Sequence, residues 1–171
     1  MTYDNIMGTI KQNEVSKMEI PNLSEEEKWE MIREMFVMNN QSAIGFIMKM
    51  GPEKMQEYSE MTSQQYANML RAQGRDNAIG FAMSEAMVRK NLMGSDVEVD
   101  GNPSEATLNL KSDGFLMTAM KMREKGQMPM SKEEFQRGCI EGYFKPRAEK
   151  LGLELDAEYT GKGYKIKISK K

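Results

Sequence analysis

The chain contains no histidine and a single cysteine, Cys139, in 171 residues. These two shortages exclude a great deal. Zinc sites are built from Cys and His, so a zinc centre has no ligand set here. Two-histidine iron sites and histidine-ligated haem fall for the same reason. One cysteine cannot close an internal disulfide, which points to a reducing compartment. Runs of apolar residues are also short. None approaches the roughly 18 residues of a membrane span, so no membrane partner is expected. The opening "MTYDNIMGTIKQNE" has no apolar stretch of the secretory kind, and the expected location is cytoplasmic. Charge of one sign is lacking too: 24 Lys and Arg stand against 26 Asp and Glu. That balance argues against a phosphate-binding surface, so no nucleic-acid partner is expected. Carboxylates are plentiful, but no Asp-x-Asp-x-Asp-Gly loop gathers them for calcium, and the expectation is no metal and no cofactor.

What is present is helical punctuation. Residues 1–22 pattern weakly, end near Pro21 and read as an arm that packs on the domain, residues 23–171, or on a neighbour. Ser24 and Glu27 form a capping box, and three acidic residues in the first turn suit the helix dipole. Trp29, Ile32, Phe36, Ile44 and Ile47 then recur at helical spacing. Gly51-Pro52 ends this helix and starts a second, to about residue 73, with Met55, Tyr58, Met61, Tyr66 and Met69 turned inward or nearly so. A third helix spans about 76–93, with Asp76 as its expected N-cap.

The texture then changes to alternation. "DVEVDGNPSEATLNL" reads as a β-hairpin turning at "DGNPSE". Ser112 or Asp113 caps a helix of about 114–125. Ser131 and Glu134 form a second capping box, opening a helix of about 132–151 that Pro146 should kink or split. "LELDAEYTGKGYKIKIS" closes the chain with a hairpin turning at Thr160–Gly163. The order predicts an α+β fold: three helices, a hairpin, two helices and a hairpin, with a four-stranded antiparallel sheet and the helices on one face.

Three features bear on function. "AIGFIM" at 43–48 recurs as "AIGFAM" at 78–83, placing Gly45 and Gly80 inside helices, where glycine costs about 1 kcal/mol relative to Ala. Either two helices approach closely at matching notches, or the gaps admit a ligand. Next, there are nineteen methionines. Met fills irregular space and adapts to different shapes, so Met-rich helices suit a plastic apolar pocket or a partner surface. On this reading the ligand-binding candidates are Gly45, Met48, Gly80, Met83, Met117 and Tyr143. A thioether Cu(I) site among Met117, Met120, Met122, Met128 and Met130 lacks the His or Cys such sites borrow. Third is Cys139. A nucleophilic thiol needs a cation, a histidine or a helix N-terminus to lower its pKa. Cys139 lies about two turns into its helix, on a stripe with Phe135 and Tyr143, beside Ile140 and Phe144. A cysteine on such a face is usually a small inert hydrophobe.

The stretch "GCIEGYFKPRAEKLGLELDAEY", through Cys139, Tyr143, Ala148, Leu151 and Gly152, together with the order of elements over residues 27–168, resembles the L-2-amino-thiazoline-4-carboxylate hydrolase-like family. That resemblance implies an α+β fold with an antiparallel sheet, and hydrolytic opening of a small heterocycle with a cysteine involved. The sequence departs from the family at two places. Members carry further cysteines near the start of the fourth helix and in the last strand; here those regions read "SDGF" and "GYKIKI". Two readings follow. In the first, the chain is a non-catalytic domain that binds a small apolar molecule or a protein partner through its Met-rich helices. In the second, it is a hydrolase with Cys139 as nucleophile, assisted by a carboxylate such as Glu141 or Asp113. An assembly role as a homo-oligomer, exchanging the N-terminal arm, stands beside both.

Overall fold

A computed structural model describes residues 22–171; the expected N-terminal arm, apart from Asn22, lies outside them. The elements run α1 (Glu25–Lys49), α2 (Pro52–Ala72), α3 (Ala78–Met93), β1 (Asp96–Gly101), β2 (Glu105–Ser112), α4 (Gly114–Glu124), α5 (Lys132–Cys139), a π-helical turn (Ile140–Phe144), α6 (Lys145–Lys150), β3 (Leu153–Tyr159) and β4 (Tyr164–Lys170). This is the predicted α+β order. Among the described residues no helix is long and apolar enough to cross a membrane.

Period-two alternation builds the sheet. Its strands are antiparallel in the order β1-β2-β4-β3, so the second hairpin adds its last strand to the inner edge of the first. The register lines apolar residues into rows: Val97–Leu110–Tyr164–Tyr159, then Val99–Leu108–Ile166–Ala157. Leu108, Leu110, Tyr164, Ile166 and Ile168 are fully buried on that face. The intervening residues, Glu98, Lys165, Lys167 and Glu158 among them, are exposed on the other. One face is therefore left for helices, and α3 and α6 pack against it. The α1–α2 hairpin lies outside this layer, α1 against α4 and α2 against α6.

Both predicted capping boxes are present, at Ser24/Glu27 and Ser131/Glu134. The cap of α3 is Asn77 rather than Asp76; its side chain accepts from the Gly80 N–H at 3.0 Å. The helix expected over about 132–151 is split at Pro146 into α5, the π-helical turn and α6. The turn just before the proline widens to a π-helix, in which the Lys145 N–H reaches Ile140 O five residues back. A wider turn of this kind accommodates a ring that cannot donate.

The inward faces of α1 and α2 differ from the expected ones. Only Val37 of α1 is buried, while Ile32 and Phe36 are about half exposed. In α2 the buried residues are Ser63, Ala67 and Leu70, and Met61 and Met69 face out. Methionines lie on several faces of both helices, so their spacing does not mark the core. Small residues mark it instead, where α2 must come close to α6.

Candidate functional site

The α1–α2 hairpin does not close fully on the helix layer beneath it. Among the described residues a cavity of about 730 Å³ remains, walled by Phe36, Ile44 and Met48 of α1, Met55 and Tyr58 of α2, Val88 and Met93 of α3, Phe115 of α4, and the α5–π-turn segment. That volume lies within the range of about 300–1,000 Å³ typical of small-molecule sites, and the mixture of apolar walls with a few polar groups is also typical.

The α5–π-turn wall is open because of two glycines. Gly138 and Gly142 lie four residues apart and both line the cavity. A Cβ built on either meets nothing within 4 Å. Gly45 and Gly80, the glycines of the repeated hexapeptide, do not line it. A Cβ on Gly80 would lie 2.5 Å from the backbone oxygen of Arg75, so this glycine lets the preceding loop cross the start of α3. A Cβ on Gly45 would meet nothing within 4 Å, so among the described residues no helix packs closely on it. Among the described residues the two copies of the hexapeptide therefore form no matching notches, and neither glycine lines the cavity. The helix-interior glycines that do open space are those of "RGCIEGY".

Of the remaining predicted binding residues, Met48 and Tyr143 line the cavity. Met83 is exposed on α3 and is not part of the wall. Met117 faces a separate surface notch beside Glu30 and Lys121. Cys139 is at the cavity, buried among the core residues with Phe135, Ile140 and Phe144.

Beneath the apolar walls lies a buried polar layer that the sequence did not reveal. Arg89 of α3 is 5% exposed and donates to Asp113 Oδ2 at 2.6 Å, with Asp113 fully buried. Asp113 is also the N-cap of α4: its Oδ1 accepts from the Phe115 N–H at 3.3 Å and from the Ser95 hydroxyl at 3.4 Å. The Arg89 guanidinium sits 5.0 Å from the Phe144 ring centre and 5.5 Å from that of Phe115. Burial works to lower the Arg89 pKa, but Asp113, helped by Cys139, Tyr143 and Glu85, outweighs it and holds the group charged.

A second pair lies alongside. Glu85 of α3, also buried, accepts from Arg147 Nη1 at 3.4 Å and from the Tyr143 hydroxyl at 3.2 Å. Arg147 stacks 3.5 Å above the Tyr143 ring. Burial first, and then the charge of Glu85, push the Tyr143 hydroxyl pKa up, so it stays a proton donor. Each of these two cations thus has its own carboxylate, while Glu134, Arg137 and Glu141 bring further charged side chains to the cavity wall.

Cys139 sits beside this layer. Burial pushes its thiol up to about 11; Arg89 pulls the other way, and Asp113 adds to the rise. At neutral pH that keeps the group a neutral thiol rather than a thiolate. The Tyr164 hydroxyl is close enough to affect the thiol, yet among the described residues it has no hydrogen bond of good geometry. Of the two carboxylates considered as helpers, Asp113 is committed to Arg89, and Glu141 pairs with Lys145 at 2.7 Å. Among the described residues, no group of three or more His, Cys, Asp or Glu side chains converges for a metal ion.

No family model matches the chain, and neither a curated protein nor a solved structure matches it.

Proposed function

We propose that this chain binds a small, mainly apolar and uncharged molecule in the cavity between the α1–α2 hairpin and the α3/α5 layer. The observation that carries the reading is the cavity itself: about 730 Å³ of space, walled by Phe, Ile and Met side chains and held open by Gly138 and Gly142. The described residues leave this volume unfilled, and unfilled apolar space forfeits dispersion contacts that an occupant would restore. Flexible methionines at the rim, Met48 and Met55, can adjust to the shape of an occupant. The floor favours a neutral ligand over an ion, since Arg89 and Arg147 already have Asp113 and Glu85. Tyr143 and the arginine N–H groups supply directional contacts for one polar atom of the ligand.

The same geometry favours binding over thiol hydrolysis. A nucleophilic Cys139 would need its pKa lowered, and burial drives it up. Its two candidate carboxylate helpers are held by cations. Native mass spectrometry of the protein as purified tests the reading. A mass excess of one small molecule per chain, lost on denaturation, supports it. A bare chain that also takes up no neutral apolar probe added in excess would end it.

A further inference from the structure

The two arginines of the polar floor face the cavity with their counter-charges behind them. Arg89 and Arg147 line the space, whereas Asp113 and Glu85, which neutralise them, do not. Both carboxylates are fully engaged on the far side. Asp113 accepts from Arg89, the Ser95 hydroxyl and the Phe115 N–H, and Glu85 accepts from Arg147 and the Tyr143 hydroxyl. A guanidinium carries five N–H groups and no acceptor. Each arginine gives one Nη1 bond to its carboxylate, and among the described residues no other oxygen takes the N–H groups that remain. The two cations lie together, both guanidinium carbons being within 5.7 Å of the Tyr143 ring centre. Arg89 is the deeper, its side chain 6% exposed against 17% for Arg147. The other buried residues of the wall, Met93, Phe135 and Cys139, supply no strong acceptor. The charged Glu134, Arg137 and Glu141 are exposed and stand at the mouth.

We infer that the molecule bound in the cavity carries a neutral carbonyl group, as a ketone or an ester does, whose oxygen accepts from the Arg89 guanidinium while its hydrocarbon part lies along the Phe, Ile and Met walls. The inference rests on the binding reading above and narrows it to a chemical class. Charge disfavours an acid. Each buried pair is already balanced, so a carboxylate would bring an uncompensated charge into a desolvated site. A carbonyl brings only a dipole, and its negative end meets the cationic side of the pair. Hydrogen-bond polarity disfavours an alcohol. Its oxygen can accept the same bond, but its proton finds no strong acceptor at the buried end, and a site rejects a polar group that it leaves unpaired. A plain hydrocarbon would strip water from the arginine N–H groups and return nothing to them. One polar contact deep in an apolar pocket also fixes the orientation of its ligand.

Displacement of N-phenylnaphthylamine, a neutral dye without a carbonyl, tests the class on the full chain at neutral pH. The competitors are methyl nonanoate, decanol and decanoate, which are similar in length and differ in the polar end. Methyl nonanoate should displace the dye at a concentration roughly tenfold or more below either of the others, the worth of one hydrogen bond from a charged donor. Arg89→Met removes that donor, and the margin of the ester over decanol should fall to about twofold or less. Asp113→Asn/Arg89→Met repeats the comparison without an unpaired carboxylate, so a poorly folded single variant does not decide the outcome. The margin is a ratio within one protein, so a change in dye affinity cancels. An ester that binds no more tightly than decanol, decanoate as the tightest of the three, or a margin unchanged in the folded variants overturns the carbonyl assignment and leaves the cavity a binding site. A wild type that takes up no dye ends the binding reading and this inference with it.

Discussion

Replacing Asp113 with asparagine changes one charge and almost no shape. The asparagine keeps an oxygen for the Phe115 N–H and the Ser95 hydroxyl, so the cap of α4 survives. Arg89, 5% exposed, loses its counter-charge. Breaking a buried ion pair from one side costs about 3–5 kcal/mol, since the remaining charge stays desolvated. The rings of Phe115, Tyr143 and Phe144, each within 5.7 Å of the guanidinium carbon, return part of that through cation–π attraction. We therefore expect about 3 kcal/mol, a large share of the roughly 5–15 kcal/mol that holds a domain of this size. Removing the arginine as well, in Asp113→Asn/Arg89→Met, leaves no charge at this pair and puts an unbranched side chain in the same channel. That variant should recover at least about 2 kcal/mol relative to the sum of the single losses. Urea unfolding followed by circular dichroism measures wild type, both single variants and the double variant. If Asp113→Asn costs less than about 1 kcal/mol, or the double variant loses the sum of the single losses, the pair is not a buried, coupled unit.

Gly138→Ala should stabilise the chain by about 0.5–1 kcal/mol, because its Cβ enters open space in a helix, whereas Gly80→Ala should destabilise it, because its Cβ meets Arg75 backbone; thermal unfolding of the two variants should shift in opposite directions. Cys139 should make stability fall at alkaline pH. Its folded pKa of about 11 exceeds the ordinary value of 9.0, so its contribution is complete below about pH 9 and is lost as the pH rises to about 11. The stability difference between wild type and Cys139→Ala should shrink by roughly 2–3 kcal/mol across that window; a difference that is flat or grows with pH would contradict a thiol held neutral by burial.

The sheet was legible in the sequence because period-two alternation leaves little freedom: once Leu108, Leu110, Ile166 and Ile168 are placed inward, their neighbours must face out. Helix ends were legible through Ser24, Ser131 and the Gly51-Pro52 pair, whose preferences are local. The inward faces of α1 and α2 were not. Methionine is apolar enough to suggest core at every position and is here used on both sides, so helical spacing could not separate Val37 from Ile32 or Ala67 from Met69. The polar floor was hidden for a different reason. Arg89 and Glu85 sit in a helix among other polar residues, and only the meeting of α3 with the start of α4 and with α6 shows that they are buried and paired. Asp113 was visible as a cap but not as a partner of Arg89. Gly138 and Gly142 carried a usable signal, two glycines four apart inside a helix, which the cysteine between them overshadowed.

If the cavity is a binding site, its glycine wall gives the most direct test. Gly138→Leu places a branched side chain into the space without a clash in the backbone. Titration with Nile red, a neutral apolar dye, should show one site per chain in the wild type, and Gly138→Leu should lose that site while unfolding at an equal or higher urea concentration. Equal dye binding by the two proteins, or no binding by the wild type, would contradict the assignment of this cavity as the binding site.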